Sequence, residues 1–161
     1  MATTTLDFER SSIGTSIAQG NQVDDLIAFL KSRKNGGVSE GMKRELAERQ
    51  IEAETARLLS YRVITLQNRG QVPNHESSAV KLYASELAQR IAATSVKVMG
   101  LFGQLDKPEK RGDGSATDRW TPNKGKFMRA YLNTVSSTIA GGTSEVNRNV
   151  MATRGLGLPR D

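Results

Sequence analysis

The stretch VKLYASELAQRIAATSVKVMGL, residues 80–101, has the most regular pattern in the sequence. Its inward positions recur every three or four residues, a spacing that places them along one face of an α-helix. They are Val80, Tyr83, Leu87, Ile91, Thr94, Val98 and Leu101. Because this spacing is typical of the seam of an antiparallel bundle, we expect the face to serve packing against other helices.

Two further helices are predicted on the amino-terminal side of this stretch. The nearer one runs from a cap at Ser39 to a stop at Asn68-Arg69-Gly70. Its broad apolar face consists of Met42, Leu46, Ile51, Leu58, Val63 and Leu66. The first helix is predicted over residues 6–34, and its apolar positions are Phe8, Ile13, Ile17, Val23, Ile27 and Leu30. Gly36-Gly37 then ends it.

On the carboxy-terminal side, the pattern predicts a long loop over residues 103–126, which contains the only tryptophan, Trp120. We expect Trp120 to anchor this loop on the bundle, with stacking on a ligand as the alternative. A short helix is predicted over residues 127–138, with Phe127, Tyr131, Leu132 and Val135 as its inner face. A final helix follows Gly141-Gly142, capped by Thr143 or Ser144.

The composition agrees with a helical protein. Hydrophobic residues make up 37% of the 161 residues, aromatic residues only 5%, and there are four prolines. This mix favours helices around an aliphatic core. We therefore predict one all-α domain over residues 1–161, an up-and-down four-helix bundle with an additional short C-terminal helix, in which residues 1–5 form a disordered start.

Several classes of function are disfavoured by residue content. There is no cysteine, and the single histidine, His75, has no partner at a metal-ligand spacing, so we expect it in a turn or at a helix start. The net charge is +6, but basic and acidic residues are interleaved, which does not predict a nucleic-acid surface. No apolar run reaches the length of a membrane span and the start lacks signal-peptide features, so a cytoplasmic protein is expected.

Residues 141–144, here called the Gly-Gly-Thr-Ser turn, carry the clearest signal of a site. Paired glycines allow a backbone to approach a ligand closely, and the helix that follows directs free N–H groups and hydroxyl groups towards it. This arrangement suits a phosphate or an anionic oxygen. Taken alone, such a break is also compatible with a plain turn between helices.

The residues around this turn resemble a known family. The stretch IAGGTSEVNRNVMATRGLGLPR, residues 139–160, closely resembles the C-terminal signature of acyl-CoA dehydrogenases. The segments Lys81–Glu86, Arg129–Leu132 and Leu6–Arg10 are similar to three further motifs of the same C-terminal domain. The resemblance therefore extends over nearly the whole chain.

This resemblance implies a function for the chain. Members of the family are FAD-dependent oxidoreductases that remove the α and β hydrogens of an acyl-CoA thioester, and electron-transfer flavoprotein or a similar acceptor reoxidises them. A carboxylate takes the α proton while the β hydrogen leaves as a hydride to the flavin. The domain is helical in the family and builds homo- or hetero-oligomers. The resemblance also implies a role of the protein in fatty acid β-oxidation and lipid metabolism.

The resemblance also implies roles for individual residues. Many members carry the catalytic base immediately before the glycine of the signature turn, where this sequence has Gly141. In the isovaleryl and long-chain branches the base lies on the first helix, in a position that matches Glu9, and Arg10 beside it would support charge in the site. An alternative role for Glu9 is that of an acidic residue stabilising a helix N-terminus.

The remaining predicted contacts lie at the Gly-Gly-Thr-Ser turn. Gly141 and Gly142 would contact the substrate, and Thr143 and Glu145 would contact FAD. Two arginines of the last helix, Arg148 and Arg154, are instead expected to cap it or to form ion pairs.

The sequence departs from the family in ways that leave an alternative function open. The two domains that precede this one in the family are not recognisable, and neither is the R-x-x-F-G motif after the first helix. The alternative is a truncated, non-catalytic helical bundle that serves as an oligomerisation module or is a remnant. Gly141 in place of a glutamate indicates, by analogy, a branched, long or bulky acyl group.

Overall fold

The computed structural model describes residues 13–32, 38–105 and 125–160. Five α-helices lie within these ranges: α1 (Ile13–Ser32), α2 (Glu40–Asn68), α3 (His75–Met99), α4 (Lys126–Ser137) and α5 (Ser144–Val150). A 3-10 turn (Gly100–Gln104) follows α3, and one turn of π-helix (Met151–Gly155) follows α5. The described residues contain no strand, and the predicted all-α bundle with a short C-terminal helix is confirmed.

Helix α3 is the centre of the bundle, because it contacts each of the other four helices. Five of its predicted inward positions are buried: Val80, Leu87, Ile91, Thr94 and Val98. The prediction is wrong for Leu101, which is 81% exposed. The left-handed φ of +61° at Gly100 ends the helical path, so Leu101 lies in the 3-10 turn and no longer continues the buried face.

The core consists of two clusters of apolar side chains at two levels of the bundle. One contains Val23, Ala53, Ala56, Leu87 and Ile91, and the other contains Leu26, Leu46, Val98, Met99 and Phe127. Each cluster combines residues of α1, α2 and α3, and the second also includes α4. Leu26, which the sequence pattern did not identify, is fully buried, whereas Ile17 from the predicted apolar face of the first helix is exposed.

Helix α2 begins as predicted, because the Ser39 hydroxyl accepts a hydrogen bond from the Met42 N–H at 3.2 Å. Its buried face differs from the prediction, since Ile51 is 68% and Leu58 is 63% exposed. The residues that face the core are Leu46, Ala53, Ala56, Ser60 and Val63. Leu46 and Val63 confirm part of the predicted face, whereas a search for large apolar residues misses the small side chains of Ala53, Ala56 and Ser60, which allow α2 to approach its neighbours closely.

Polar side chains also connect the helices inside the bundle. The hydroxyl oxygens of Ser16 on α1 and Ser60 on α2 lie 2.7 Å apart, and the Gln19 side chain donates to the Ala84 carbonyl of α3 at 2.7 Å. The side chains of Ser16, Gln19 and Ser60 are all buried. These bonds satisfy polar groups that would otherwise be costly in the core.

Helix α4 contributes one side chain, Phe127 of its first turn, to the apolar core. Phe127 is buried against the cluster that contains Val98, whereas the other three residues of its predicted inner face, Tyr131, Leu132 and Val135, are exposed. The prediction of an apolar inner face along α4 is therefore wrong beyond Phe127. Further along, α4 contacts α3 through a polar group, because the Gln89 amide donates to the Thr134 carbonyl at 3.2 Å. None of the described helices is long and apolar enough to cross a membrane.

Candidate functional site

The Gly-Gly-Thr-Ser turn connects α4 to α5, and both of its glycines have a left-handed backbone. Their φ angles are +71° at Gly141 and +100° at Gly142. A side chain at either position would be strained, because the left-handed region is unfavourable for L-residues with a Cβ atom. A Cβ atom on Gly141 would otherwise meet only the Lys81 Cε atom, at 3.8 Å. The conformation of the turn, rather than lack of space, is therefore what requires glycine here.

Thr143 is the residue that caps α5, which decides between the two caps predicted from the sequence. The Val146 N–H donates to its hydroxyl oxygen at 3.3 Å, while Ser144 is already the first helical residue and is buried. Thr143 thereby satisfies one of the N–H groups left free at a helix start.

Glu145 lies in the first turn of α5, and its side chain is 81% exposed. Its own backbone N–H and the Thr143 hydroxyl donate hydrogen bonds to the carboxylate and hold the pKa of Glu145 below its usual value. The charges of Arg148 and Lys81 act in the same direction. Because the helix start already carries this carboxylate, it is less suited to a phosphate than the sequence pattern indicated.

Two side chains that sequence reasoning did not assign to the site hold the turn in place. The Lys81 ammonium of α3 donates to the Gly142 carbonyl at 2.5 Å. The Asn147 amide nitrogen donates to the same carbonyl at 2.9 Å and to the Thr143 carbonyl at 2.8 Å. Asn147 is fully buried. Both residues lie in motifs that carry the family resemblance, but a motif match gives no indication of which carbonyl a side chain contacts.

Helix α5 and the π-helical turn after it are also tied to α3 and to its N-cap residue, Asn74, on either side of this contact. Arg148 forms an ion pair with Glu86 at 2.5 Å, and Arg154 donates to the Asn74 side-chain oxygen at 2.7 Å. The expectation of an ion pair is confirmed for Arg148, whereas Arg154 forms a hydrogen bond to a neutral side chain instead of an ion pair or a cap of the last helix. His75 begins α3, as expected, and it lies against Gly155, where an added Cβ atom would come within 3.1 Å of its ring.

A groove with a volume of about 620 Å³ and a lining of both polar and apolar atoms adjoins the turn between α3, α4 and α5. Its lining includes Glu145 and Arg148 of α5, Glu86 and Arg90 of α3, and Tyr131 of α4. Charges of both signs meet in this groove, and Arg90 is already paired with Glu52 at 3.0 Å. The groove therefore suits an uncharged polar ligand group that offers hydrogen-bond donors and acceptors.

Four of the six predicted site residues are neighbours in the sequence and lie at the junction of the turn and α5: Gly141, Gly142, Thr143 and Glu145. The other two, Glu9 and Arg10, lie outside the described residues. Trp120 and most of the predicted loop over residues 103–126 also lie outside them. Within the part of the chain that the structure describes, no three acidic, histidine or cysteine side chains are grouped as metal ligands would be.

Comparison with known proteins identifies the same family from two directions. The family model for the acyl-CoA dehydrogenase C-terminal domain matches residues 1–156. Among curated proteins, the chain is 30% identical over 160 residues to acyl-CoA dehydrogenase FadE34 of Mycobacterium tuberculosis. It is 27% identical over 163 residues to acyl-CoA dehydrogenase IpdE1 of the same organism. These alignments cover 99% and 100% of the chain.

A solved structure supports the fold independently. The Tcur3481-Tcur3483 steroid ACAD superimposes with a TM-score of 0.79 over 97% of the chain, at 22% identity, which establishes a shared fold. The chain covers only part of each of these proteins: 20% of FadE34, 38% of IpdE1 and 38% of the solved chain.

Proposed function

The chain belongs to the acyl-CoA dehydrogenase family as a C-terminal domain, and we propose that it takes part in the FAD-dependent α,β-dehydrogenation of an acyl-CoA thioester. The observation that carries this proposal is the Gly-Gly-Thr-Ser turn. Its two glycines have left-handed backbones, Lys81 holds it against α3, and Asn147 ties it to the start of α5. A turn held in this way can present its backbone to a ligand without a side chain in between.

The described residues fit the part of FAD that carries hydroxyl groups. The Glu145 carboxylate is charged at neutral pH, and its lowered pKa extends the charged form to lower pH; it can therefore accept hydrogen bonds from hydroxyl groups and would repel a phosphate. Thr143 lies beside it and contributes a further hydroxyl group. FAD, when bound, supplies the two-electron acceptor for the reaction.

We propose Glu9 as the catalytic base. It would take the α proton, the β hydrogen would leave as a hydride to the cofactor, and a double bond would form between the two carbons. The conformation at position 141 supports an assignment elsewhere, because a glutamate at a φ of +71° would be strained. Arg10 would then support the charge that develops near Glu9, and Gly141 and Gly142 would contact the substrate.

The proposed partners rest on the resemblance to the family, whose C-terminal domain builds homo- or hetero-oligomers. The chain spans 20% of FadE34 and 38% of IpdE1. We propose that the chain works in a homo- or hetero-oligomer, with an acyl-CoA as substrate and electron-transfer flavoprotein or a similar protein as electron acceptor.

Flavin bleaching tests the proposed function. The purified chain is mixed with FAD, an acyl-CoA and an artificial electron acceptor, and the flavin absorbance is followed. We expect flavin to bind and bleach with the wild-type chain and with the control Glu40→Gln, whose carboxylate is exposed and pairs only with Lys43 among the described contacts. Glu9→Gln should retain flavin and lose turnover.

Two results would count against this proposal. If neither binding nor bleaching occurs, the isolated chain has no such activity. If Glu9→Gln still turns over at the wild-type rate, Glu9 is not the base, whatever the outcome for the chain as a whole.

A second function, that of a non-catalytic oligomerisation module, is favoured by the apolar residues exposed on α4, on α5 and on the segment between them. Tyr131, Leu132, Val135, Ile139 and Val146 are all exposed, and such residues on neighbouring turns are typical of a contact surface. Sedimentation of the wild-type chain and of Leu132→Ser tests this function. A stable oligomer that binds no flavin, and that Leu132→Ser dissociates, would favour it over catalysis.

A further inference from the structure

We propose that Lys81 is a positioning residue that holds the Gly-Gly-Thr-Ser turn in its left-handed conformation. Its importance for catalysis rests on the proposed function, since only there does the turn contact substrate and cofactor. The positioning itself is a property of the chain without ligands, so it can be tested separately.

The contact connects the most firmly held helix of the bundle to the turn. Lys81 lies in the second turn of α3, one residue after the buried Val80. Its ammonium donates to the Gly142 carbonyl, 61 residues further along the chain, at 2.5 Å. Because the donor is charged, this hydrogen bond is stronger than one between neutral groups. The position of α3 is thereby transmitted to a backbone atom of the turn.

The turn needs such a contact because its glycines do not determine their own conformation. Two successive residues without a Cβ atom have the largest choice of backbone angles, and ordering them is entropically costly. The Gly142 carbonyl accepts from Lys81 and also from the Asn147 amide nitrogen, at 2.9 Å. Since the C=O and N–H groups of a trans peptide point in opposite directions, fixing this carbonyl also fixes the direction of the Thr143 N–H.

The same lysine also acts on the charged group beside the turn. Its positive charge is one of the influences that lower the pKa of Glu145, after the Glu145 backbone N–H, the Thr143 hydroxyl and Arg148. Lys81 thus connects the conformation of the turn to the charge of a residue that we propose contacts FAD. A lysine with a purely structural role elsewhere on α3 would not affect both properties.

The experiment compares three variants of the full chain without ligands. Lys81→Met removes the ammonium and keeps most of the apolar stem, whereas Lys81→Arg keeps the positive charge and the donor. Lys97→Met is the matched control, because Lys97 lies on the same helix and donates to Glu45 at 3.0 Å, away from the turn. Nuclear magnetic resonance follows the backbone amide signals of Gly141 and Gly142, the exchange of the Asn147 backbone amide hydrogen and the titration of Glu145.

For Lys81→Met we expect displaced glycine amide signals and a higher pKa for Glu145. The backbone N–H of Asn147 donates to the Thr143 carbonyl at 3.0 Å. Its protection from hydrogen exchange should fall about tenfold, which is the effect of losing one charge-assisted hydrogen bond. Lys81→Arg should restore most of each property, and Lys97→Met should leave all three unchanged.

Three results would overturn the proposal: wild-type glycine signals and Asn147 exchange in Lys81→Met, equal changes in Lys97→Met, or no recovery in Lys81→Arg. If Lys81→Met fails to fold, Lys81→Gln, which loses the charge but keeps an amide donor, is judged by the same criteria. None of these measurements requires flavin. A failure of the bleaching experiment would therefore leave this result intact, and the reverse also holds.

Discussion

Replacement of Asn147 is the sharpest test of how the turn is held. The Asn147 side chain is fully buried, and its amide faces two carbonyl oxygens, those of Gly142 and Thr143, at 2.9 and 2.8 Å. Both neighbours are acceptors, so the donating nitrogen must be the atom that faces them. The side-chain oxygen has no hydrogen-bond partner among the described residues.

The structure allows the cost of Asn147→Ala to be worked out. Two hydrogen bonds are lost, each worth about 0.5–1.5 kcal/mol net, but neither carbonyl is left alone. The Gly142 carbonyl retains Lys81, and the Thr143 carbonyl retains the Asn147 backbone N–H at 3.0 Å. We therefore expect a loss of about 2 kcal/mol in the free energy of unfolding, which corresponds to a fall of about 4–8 °C in Tm for a chain of this size.

Asn147→Asp has nearly the same shape but should be worse at neutral pH. Its carboxylate would place a buried negative charge against two carbonyl oxygens, which raises the pKa of the new side chain. A carboxyl whose pKa is higher in the folded than in the unfolded state destabilises the fold when it is ionised. The variant should therefore be most stable at acidic pH and lose stability as pH rises through the pKa of an unfolded aspartate, about 3.9, and up to its raised folded value.

Thermal unfolding between pH 3.5 and 8, followed by circular dichroism, measures both variants against the wild type. We expect the order wild type, Asn147→Ala, Asn147→Asp at pH 7, with the difference between the two variants shrinking towards acidic pH. The reasoning is refuted if Asn147→Asp equals the wild type at pH 7, or if its deficit does not depend on pH.

Three further expectations test the fold and the turn. Gly141→Glu should lower the free energy of unfolding by about 1–2 kcal/mol because the φ at position 141 is +71°. Gly20→Ala, in a helix with open space around that position, should raise the free energy of unfolding by about 0.5–1 kcal/mol. Urea titration measures both changes, and changes of the same sign would contradict the conformational reasoning. Leu87→Ala should lower the free energy of unfolding by about 2–5 kcal/mol because Leu87 is fully buried, whereas Ile51→Ala should change it by no more than about 0.5 kcal/mol because Ile51 is exposed. Comparable urea midpoints for the two variants would show that the assigned core face of the bundle is wrong. Because folding lowers the pKa of Glu145, this residue stabilises the fold above pH 4.5, its ordinary pKa, and the contribution should disappear as pH falls through the lowered pKa. Glu145→Gln should flatten the profile of Tm against pH in this range, and an unchanged profile would argue against the contribution.

Local features of the sequence were sufficient to predict the fold. The repeat along residues 80–101 predicts α3, and the caps at Ser39 and at Thr143 or Ser144 predict the starts of α2 and α5. These signals depend only on residues within one or two turns of each other. The resemblance to the family is likewise a property of the sequence alone, and so is the assignment of Glu9, which stays a prediction.

The tertiary structure decided which faces are buried. Ile51 and Leu58 of α2, together with Tyr131 and Leu132 of α4, have the character of core residues and yet are exposed. Burial depends on which neighbour a helix meets and how closely. In α2 the close approach to α1 and α3 selects small side chains such as Ala53, so the largest apolar residues are left outside.

The tertiary structure also decided how the site is built. The Gly-Gly-Thr-Ser turn can be recognised from four consecutive residues, because glycine and threonine act on their own backbone and on the next turn of helix. Its hold on the bundle requires Lys81, which is distant in the sequence, and Asn147, which must turn inward. Such contacts depend on where α3 and α5 lie relative to each other, and no pattern within a single helix contains that information.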